Sequence, residues 1–456
     1  MRRLFGTDGI RGIANEYPMT PSMAVRLGQA VAYHFRHDHR RTRILVGKDT
    51  RLSGYMFEAA LAAGINSMGA DVMYVGPLPT PGIAFLTNSM RADAGIVISA
   101  SHNPFMDNGI KIFAADGFKL PDAVELELES LILGEGADDR LSQALRSENI
   151  GRARRYDDAQ GRYIVFLKNA FPRDLTLDGL KIVVDCANGA AYRVAPAVLE
   201  ELGAEVIVLG NSPNGTNINL NCGSQHSNFA AAKVLETGAD LGITLDGDAD
   251  RVILIDDKGQ LVDGDHILAL CGLELKRKGE LPHDTVVATV MSNFGLELAL
   301  KRGGVKLERT QVGDRYVVER MREGGFALGG EQSGHIIFLD HASTGDGMVA
   351  ALQVLSVLKQ RDRALSELTR VMEALPQRLI NINVRATPPL EELEGVQKAI
   401  ADVEARLGDT GRVLVRYSGT QKKARVMVEG VDTQITDTCA HEIADAMERA
   451  IGVLPP

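Results

Sequence analysis

The chain has 456 residues, 45% of them hydrophobic, and a formal net charge of −10: enough for about three domains with real cores, and too acidic for a general nucleic-acid binder, which needs a dominant basic face. No apolar run approaches the roughly 20 residues of a membrane helix, and "MRRLFGTDGIRG" has no apolar core of a signal peptide. The four cysteines, Cys186, Cys222, Cys271 and Cys439, form no Cys-x-x-Cys pair, so neither a disulfide framework nor a zinc site is expected and a cytoplasmic, reducing location is.

In chain order, "FGTDGIRG" (Phe5–Gly12) offers Arg11 on a glycine-lined turn, whose plainest reading is a folded N-terminal turn. The basic run "RHDHRRTR" (Arg36–Arg43) reads as a solvated helix end. From Arg43 to Gly76 a β-branched run, a loop, a helix-like stretch, a Gly-Ala stop and a second apolar run follow one another. That is a strand–helix–strand unit of a parallel sheet. The plan recurs over Lys181–Gly210 and Thr285–Gly313.

Each unit is followed by another strand and a polar loop. "ADAGIVISASHNP" (Ala92–Pro104) aligns with "ADLGITLDGDADR" (Ala239–Arg251), Asp93 matching Asp240 and Gly95 matching Gly242; "GFALGGEQSGH" (Gly325–His335) is a looser third copy. Ligand sites of open α/β sheets lie beyond the carboxyl ends of strands, so three loops at one topological position are expected to meet at one site.

The first loop presents Ser101. Its neighbours Ala100 and His102 exclude a Gly-x-Ser-x-Gly nucleophile elbow. It is either a turn serine capping a helix or a serine that carries a group. A phosphoserine needs no catalytic triad; it needs a metal to neutralise a charge of about −1.5 to −2. His102 alone is a polar loop residue, and Lys111 in "NGIKIF" is either a strand-end surface lysine or an acid/base for a substrate hydroxyl.

The second loop, "DGDAD", alternates Asp246, Asp248 and Asp250 between two apolar runs. The plain reading is a solvated acidic turn, but three carboxylates so close repel unless a cation or basic groups neutralise them, and hard oxygen ligands suit Mg²⁺. An EF-hand is excluded, because loop positions six and twelve are Arg251 and Asp257. The third loop combines glycines with Glu331, Ser333 and His335, suited to sugar hydroxyls or else a plain glycine-rich turn.

After Pro376 the pattern changes to a small α+β domain with a helical Leu390–Leu407 stretch. There "RYSGT" (Arg416–Thr420), followed by Lys422, Lys423 and Arg425, is either a phosphate cradle or a solvated face. Polar stretches at Gly151–Asp158 and Asp256–Gly264 read as boundaries.

Together, in order and over essentially the whole chain, these loops resemble the α-D-phosphohexomutase superfamily. "FGTDGIRG" and "GGEQSGH" are similar to the branch that interconverts glucosamine 6-phosphate and glucosamine 1-phosphate. The phosphomannomutase/phosphoglucomutase branch, the alternative, shows Tyr-Asp-Ile-Arg-Gly and Glu-Met-Ser-Gly at those places. The resemblance implies three similar mixed-sheet α/β domains (1–154, 155–256, 257–372) and a smaller C-terminal α+β domain (373–456) around a central cleft. It implies a phosphoserine at Ser101 and one Mg²⁺ held by Asp246, Asp248, Asp250 and Ser101. Arg11 and Lys111 would assist proton transfer and charge stabilisation, and His102, Asn103 and Arg251 would support the site. Glu331 and Ser333 would grip the sugar, with His335 nearby. Arg416, Ser418, Gly419, Thr420 and Arg425 would bind the non-reacting phosphate. The implied intermediate is glucosamine 1,6-bisphosphate, the implied assembly a homodimer, and the product would feed amino-sugar nucleotide synthesis for the cell envelope. One departure stands out: the family commonly continues Ser-Gly-Thr with Glu-Pro, and here Gln421-Lys422 follows.

Overall fold

The structure, a computed structural model, describes residues 4–6, 8–134, 136, 141, 147–417 and 422–452. It forms two compact units, a larger one of Met1–Thr289 with Glu308–Arg370 and a smaller one of Val290–Leu307 with Val371–Pro456.

The larger unit holds three sheets built on one plan. In the first, β1 (Ile10–Ile13), β2 (Arg43–Lys48), β3 (Asp71–Pro77), β4 (Ala94–Ile98), β5 (Asp107–Ala114) and β6 (Ala153–Arg155) run in the order β1-β5-β4-β2-β3-β6. β2 pairs in parallel with β3 and β4, whereas β5 returns antiparallel to β4. The second sheet has β7 (Lys181–Asp185), β8 (Glu205–Leu209), β9 (Leu241–Leu245), β10 (Val252–Ile255) and β11 (Leu261–Val262), in the order β11-β10-β9-β7-β8. Again β7 is parallel to β8 and β9, and β10 returns antiparallel. The third contains β12 (Thr285–Thr289), β13 (Lys306–Thr310), β14 (Leu328–Gly330) and β15 (Ile336–Phe338); β12 is parallel to β14, and β15 returns.

The inner strands are mostly apolar because helices cover both faces of a parallel sheet. All five residues of β4 and all five of β9 are buried. Helices Pro21–His34 and Ser53–Ser67 cross closely where Gly28 and Gly64 meet the partner backbone. A Cβ at Gly64 would lie 2.1 Å from the Val25 carbonyl oxygen.

The repeat read from the sequence extends to hydrogen bonds. Asp93 Oδ2 accepts from the Arg43 N–H at 2.8 Å, and Asp240 Oδ2 accepts from the Lys181 N–H at 2.7 Å. Each aspartate ties the start of its own strand to the first strand of its unit. In the third copy the helix Phe294–Arg302 belongs to the smaller unit.

Three expectations are corrected. Arg11 lies not on a turn but in strand β1, paired with Gly109 of β5. The run Arg36–Arg43 is not merely a solvated helix end: the helix stops at His34, and His37 and Arg40 both engage the buried carboxylate of Asp93. The helix expected from Leu390 starts at Glu394. A 3₁₀ turn covers Leu390–Glu392, and Leu393, at φ −95° and ψ 77°, breaks the helical path.

The smaller unit has a three-stranded antiparallel sheet, β16 (Gln377–Asn383), β17 (Gly411–Tyr417) and β18 (Lys423–Gly430), ordered β16-β18-β17. Helices Glu394–Leu407 and Thr433–Ile451 pack Val396, Val403, Ile443 and Met447 against Val426 and Val428.

Candidate active site

The three loops of the larger unit occupy the same place, between a parallel strand and the antiparallel strand that follows it: 99–106 after β4, 246–251 after β9 and 331–335 after β14. The first two touch. Ser101 Oγ donates to Asp246 Oδ2 at 2.6 Å, and Ser101 is 1% exposed. The two backbones press together: a Cβ on Gly247 would sit 2.6 Å from the Ser101 carbonyl oxygen.

Ser101 has φ 51° and Ala249 has φ 56°. A non-glycine residue in the left-handed region costs of order 1–3 kcal/mol and persists only where its surroundings enforce it. At Ala249 that turn breaks simple alternation and gathers the three aspartates, whose carboxylate oxygens lie within 4.8 Å of one another. The chain goes on from Ser101 through turns into β5, and no helix starts there, so the helix-capping reading falls.

Asp246, Asp248 and Asp250 are all buried. Burial, then repulsion from Asp250 and Asp248, push the Asp246 carboxyl well above the usual range. For Asp250 burial opposes ionisation, but Lys111 overcomes it and holds the carboxyl well below that range. Asp248 Oδ1 and Asp250 Oδ1 are buried without a hydrogen-bond donor. Buried, orphaned carboxylate oxygens are costly in a finished protein. Their presence in a cluster of hard oxygen donors fits a divalent metal ion.

Lys111 is the cation already there. It is 2% exposed, which overturns the surface-lysine reading. Its Nζ lies 3.0 Å from Asp248, 3.2 Å from Asp8 and 3.3 Å from Asp250. Burial alone would lower its pKa, but these carboxylates hold it well above the usual lysine range. His102 Nδ1 is 3.3 Å from Ser101 Oγ and accepts from Arg251 Nη1 at 3.3 Å. Burial, then Arg251 and Arg11, push its pKa down to about 4, so the ring is neutral near pH 7. Asn103 donates to Asp107 at 2.9 Å and stabilises the loop.

A cavity of about 430 Å³ opens beside the acidic loop, lined by Asp8, Arg11, Asp250, Arg251, Asp314, Glu331 and His335 among others. Glu331 Oε1 accepts from the Gly313 N–H at 3.1 Å, and Ser333 Oγ donates to Glu331 Oε2 at 3.4 Å. His335 is buried, with Nδ1 3.7 Å from Asp250 and Nε2 3.5 Å from Asp314. Burial opposes protonation, and the two carboxylates raise its pKa regardless. The Gly345 N–H nevertheless donates to Nε2 at 3.1 Å. That shorter contact needs a lone pair, so we place the ring proton on Nδ1, on the side of Asp250 Oδ1 but at 3.7 Å too far to hydrogen-bond it. Arg11 Nε and Arg251 Nε, both buried, have no hydrogen-bond acceptor and are suited to an anion.

Asp8, Lys119 and Asp314 were not singled out from sequence. Lys119 bridges Asp8 and Asp314, and Asp8 also pairs with Arg11. Asp8 belongs to the "FGTDGIRG" motif, which is its signal in the sequence; Lys119 carries no local signal. In the smaller unit Arg416 and Arg425 are cross-strand neighbours. Burial, then Arg425, lower the Arg416 pKa, and Arg425 Nε is buried without an acceptor. Paired guanidinium groups of this kind suit an anion. Ser418, Gly419, Thr420 and the unusual Gln421 lie outside the described residues.

Models of the four phosphoglucomutase/phosphomannomutase domains match the chain in order. The α/β/α domains I, II and III match residues 2–138, 161–259 and 263–375, and the C-terminal domain matches residues 379–446. A phosphoglucosamine mutase of Syntrophotalea carbinolica is 60% identical over 99% of this chain and 98% of its own. One of Geobacter metallireducens is 58% identical over 99% and 100%. Among solved structures, a phosphoglucomutase/phosphomannomutase family protein of Burkholderia thailandensis has a TM-score of 0.81 at 25% identity, covering 97% of both chains. The N-acetylphosphoglucosamine mutase of Aspergillus fumigatus, solved with GlcNAc-6P and magnesium, has a TM-score of 0.66 at 18% identity, covering 98% of this chain and 96% of that one.

Proposed function

Because the chain belongs to the phosphoglucosamine mutase family of the α-D-phosphohexomutase superfamily, we propose that it interconverts glucosamine 6-phosphate and glucosamine 1-phosphate with Ser101 as the phosphoryl carrier. The observation that carries this is the buried Ser101 hydroxyl, 2.6 Å from Asp246, in a cluster of carboxylates with unsatisfied oxygens.

The phosphoryl group leaves Ser101 Oγ as the P–O bond to serine breaks and one to the free sugar oxygen forms. The hydroxyl proton of the sugar is exchanged for the one Ser101 regains, so the step is proton-neutral. The resulting glucosamine 1,6-bisphosphate turns round, and Ser101 takes the other phosphoryl group by the reverse chemistry. A Mg²⁺ ion on Asp246, Asp248 and Asp250 would supply neutralisation of the phosphoryl oxygens. Lys111, locked in its charged form, adds fixed positive charge, and Arg11 and Arg251 direct unpaired N–H groups to the anion. Positioning and charge stabilisation are the terms such a transfer needs. Glu331 and Ser333 take sugar hydroxyls. In the smaller unit, Arg416 and Arg425 bind phosphate.

The test is intact mass of wild type and Ser101→Ala, paired with Mg²⁺-dependent isomerisation of glucosamine phosphate. A phosphate-sized increment lost in the variant, together with activity, is the expected result. A variant that still isomerises the sugar phosphate overturns the role of Ser101.

A further inference from the structure

A serine in a left-handed turn keeps its aim only if its backbone is held. Arg51, in the loop after β2, is fully buried, and its side chain bonds Asp49 and the backbone of the Ser101 loop. Its Nε donates to Asp49 Oδ2 at 2.8 Å, Nη1 donates to the Pro104 carbonyl at 2.5 Å, and Nη2 donates to the carbonyls of Ser101 and Asn103, both at 2.9 Å. One guanidinium thus holds three carbonyls of a single turn.

Two further contacts complete the clamp. Asn219 Nδ2, from the sequence between β8 and β9, donates to the Ser101 carbonyl at 2.9 Å and the Asn103 carbonyl at 3.0 Å. Asp49 Oδ2 also accepts from Ser99 Oγ at 2.6 Å, and Ser99 Oγ in turn accepts from the Ser101 N–H at 3.0 Å. Both sides of the Ser101 peptide are therefore fixed, and its carbonyl is pressed on Gly247 of the acidic loop.

We propose that Arg51 is a positioning residue for phosphoryl transfer: with Asn219 it fixes the backbone of residues 101–104 so that Ser101 Oγ stays aimed at the acidic loop. This rests on the reading of Ser101 as the phosphoryl carrier. Arg51 is charge-balanced by Asp49, so its effect is geometric rather than electrostatic. Lysine keeps the charge but cannot reproduce a planar fork spanning three acceptors.

The experiment uses the full-length enzyme with Mg²⁺ and glucosamine phosphate, and compares wild type, Arg51→Lys, Asn219→Ala and Ser101→Ala. Melting temperature, steady-state kcat and KM, and the single-turnover loss of phosphate from the phosphorylated enzyme are read. A displacement of about 1 Å costs about 100-fold in rate. Folded Arg51→Lys is therefore expected to lose about 100-fold in kcat and in the single-turnover rate, with KM within about twofold of wild type. An unchanged kcat in the folded variant, or a loss confined to KM, overturns the proposal. If Arg51→Lys does not fold, Asn219→Ala decides: about tenfold lower kcat at unchanged KM supports the clamp, and an unchanged kcat overturns it. Activity retained by Ser101→Ala removes the carrier reading itself, whatever Arg51 does, and with it this proposal.

Discussion

Lys111→Met is the perturbation that tests the charge logic of the site most directly. The side chain is 2% exposed and its Nζ faces three carboxylates at 3.0–3.3 Å. Methionine keeps most of the volume and removes the cation. Removing one partner of a buried ion pair costs about 3–5 kcal/mol, because the charge left behind has no counterpart. At about 2–4 °C per kcal/mol for units of 150–250 residues, that is a fall in melting temperature of about 6–20 °C, towards the low end for a unit as large as this one. The loss should depend on metal. In chelator the full penalty applies; with Mg²⁺ added, Asp248 and Asp250 regain a cation, and Asp8 keeps Lys119 and Arg11 in either condition. Differential scanning calorimetry in EDTA and in millimolar Mg²⁺ should therefore show the gap between variant and wild type shrinking with the ion. Activity should fall about 10²- to 10³-fold, the usual cost of one preorganised stabilising group. Equal melting temperatures for variant and wild type in EDTA, or a gap that Mg²⁺ leaves unchanged, would refute the reasoning.

The repeated aspartates make an internal control. Asp93→Ala should destabilise more than Asp240→Ala, because Asp93 is buried and also engages Arg40 and His37, while Asp240 is exposed; urea unfolding of the two variants measures the difference. Although burial opposes it, the Arg40 and Arg43 contacts lower the Asp93 pKa. Its contribution is thus present above about pH 3.9, the unfolded value, and is lost as pH falls through the lower folded value. His266 runs the other way. Against burial, its contact with Asp263 at 2.6 Å raises its pKa. Its contribution is full below about pH 6.5 and is lost as pH rises through the higher folded value. The melting-temperature gap between wild type and His266→Asn should therefore narrow from pH 6 to pH 9, and a gap constant over that range contradicts the pairing.

Much of this was legible because the informative residues are local. "DGDAD" announces its chemistry in five residues, and the shared Ala-Asp-x-Gly-Ile marks two copies of one strand whose aspartates make the same backbone contact. What was not legible depends on long-range approach. Lys111 reads as either surface or site, and only the sheet order, with β5 beside β4, buries it. Lys119 and Asp314 are 195 positions apart and meet only in the folded unit. Arg51 sits in an ordinary-looking "KDTR", and its targets are backbone carbonyls, which have no signature in sequence. The basic run misled for the same reason, since Asp93 is more than 50 residues from His37 and Arg40.

The same topology also fixes what the site requires. Asp8, Asp246, Asp248, Asp250 and Asp314 face Lys111, Lys119, Arg11 and Arg251. Unphosphorylated, this cluster is nearly balanced once Asp246 holds a proton, the direction in which burial and its neighbours push it. A phosphate on Ser101 adds a charge of about −1.5 to −2 next to that same carboxyl, 2.6 Å from the serine oxygen. Protonating Asp246 cannot compensate so large an addition, and no further lysine or arginine pairs with the triad among the described residues. A divalent cation can, and the two orphaned oxygens of Asp248 and Asp250 are already available to it. Phosphorylation and metal binding should therefore be mutually reinforcing, as coupling free energies between sites must be. The phosphorylated enzyme should hold Mg²⁺ more tightly than the Ser101→Ala variant, and equal affinities by titration calorimetry would show that the acidic loop serves something other than the serine.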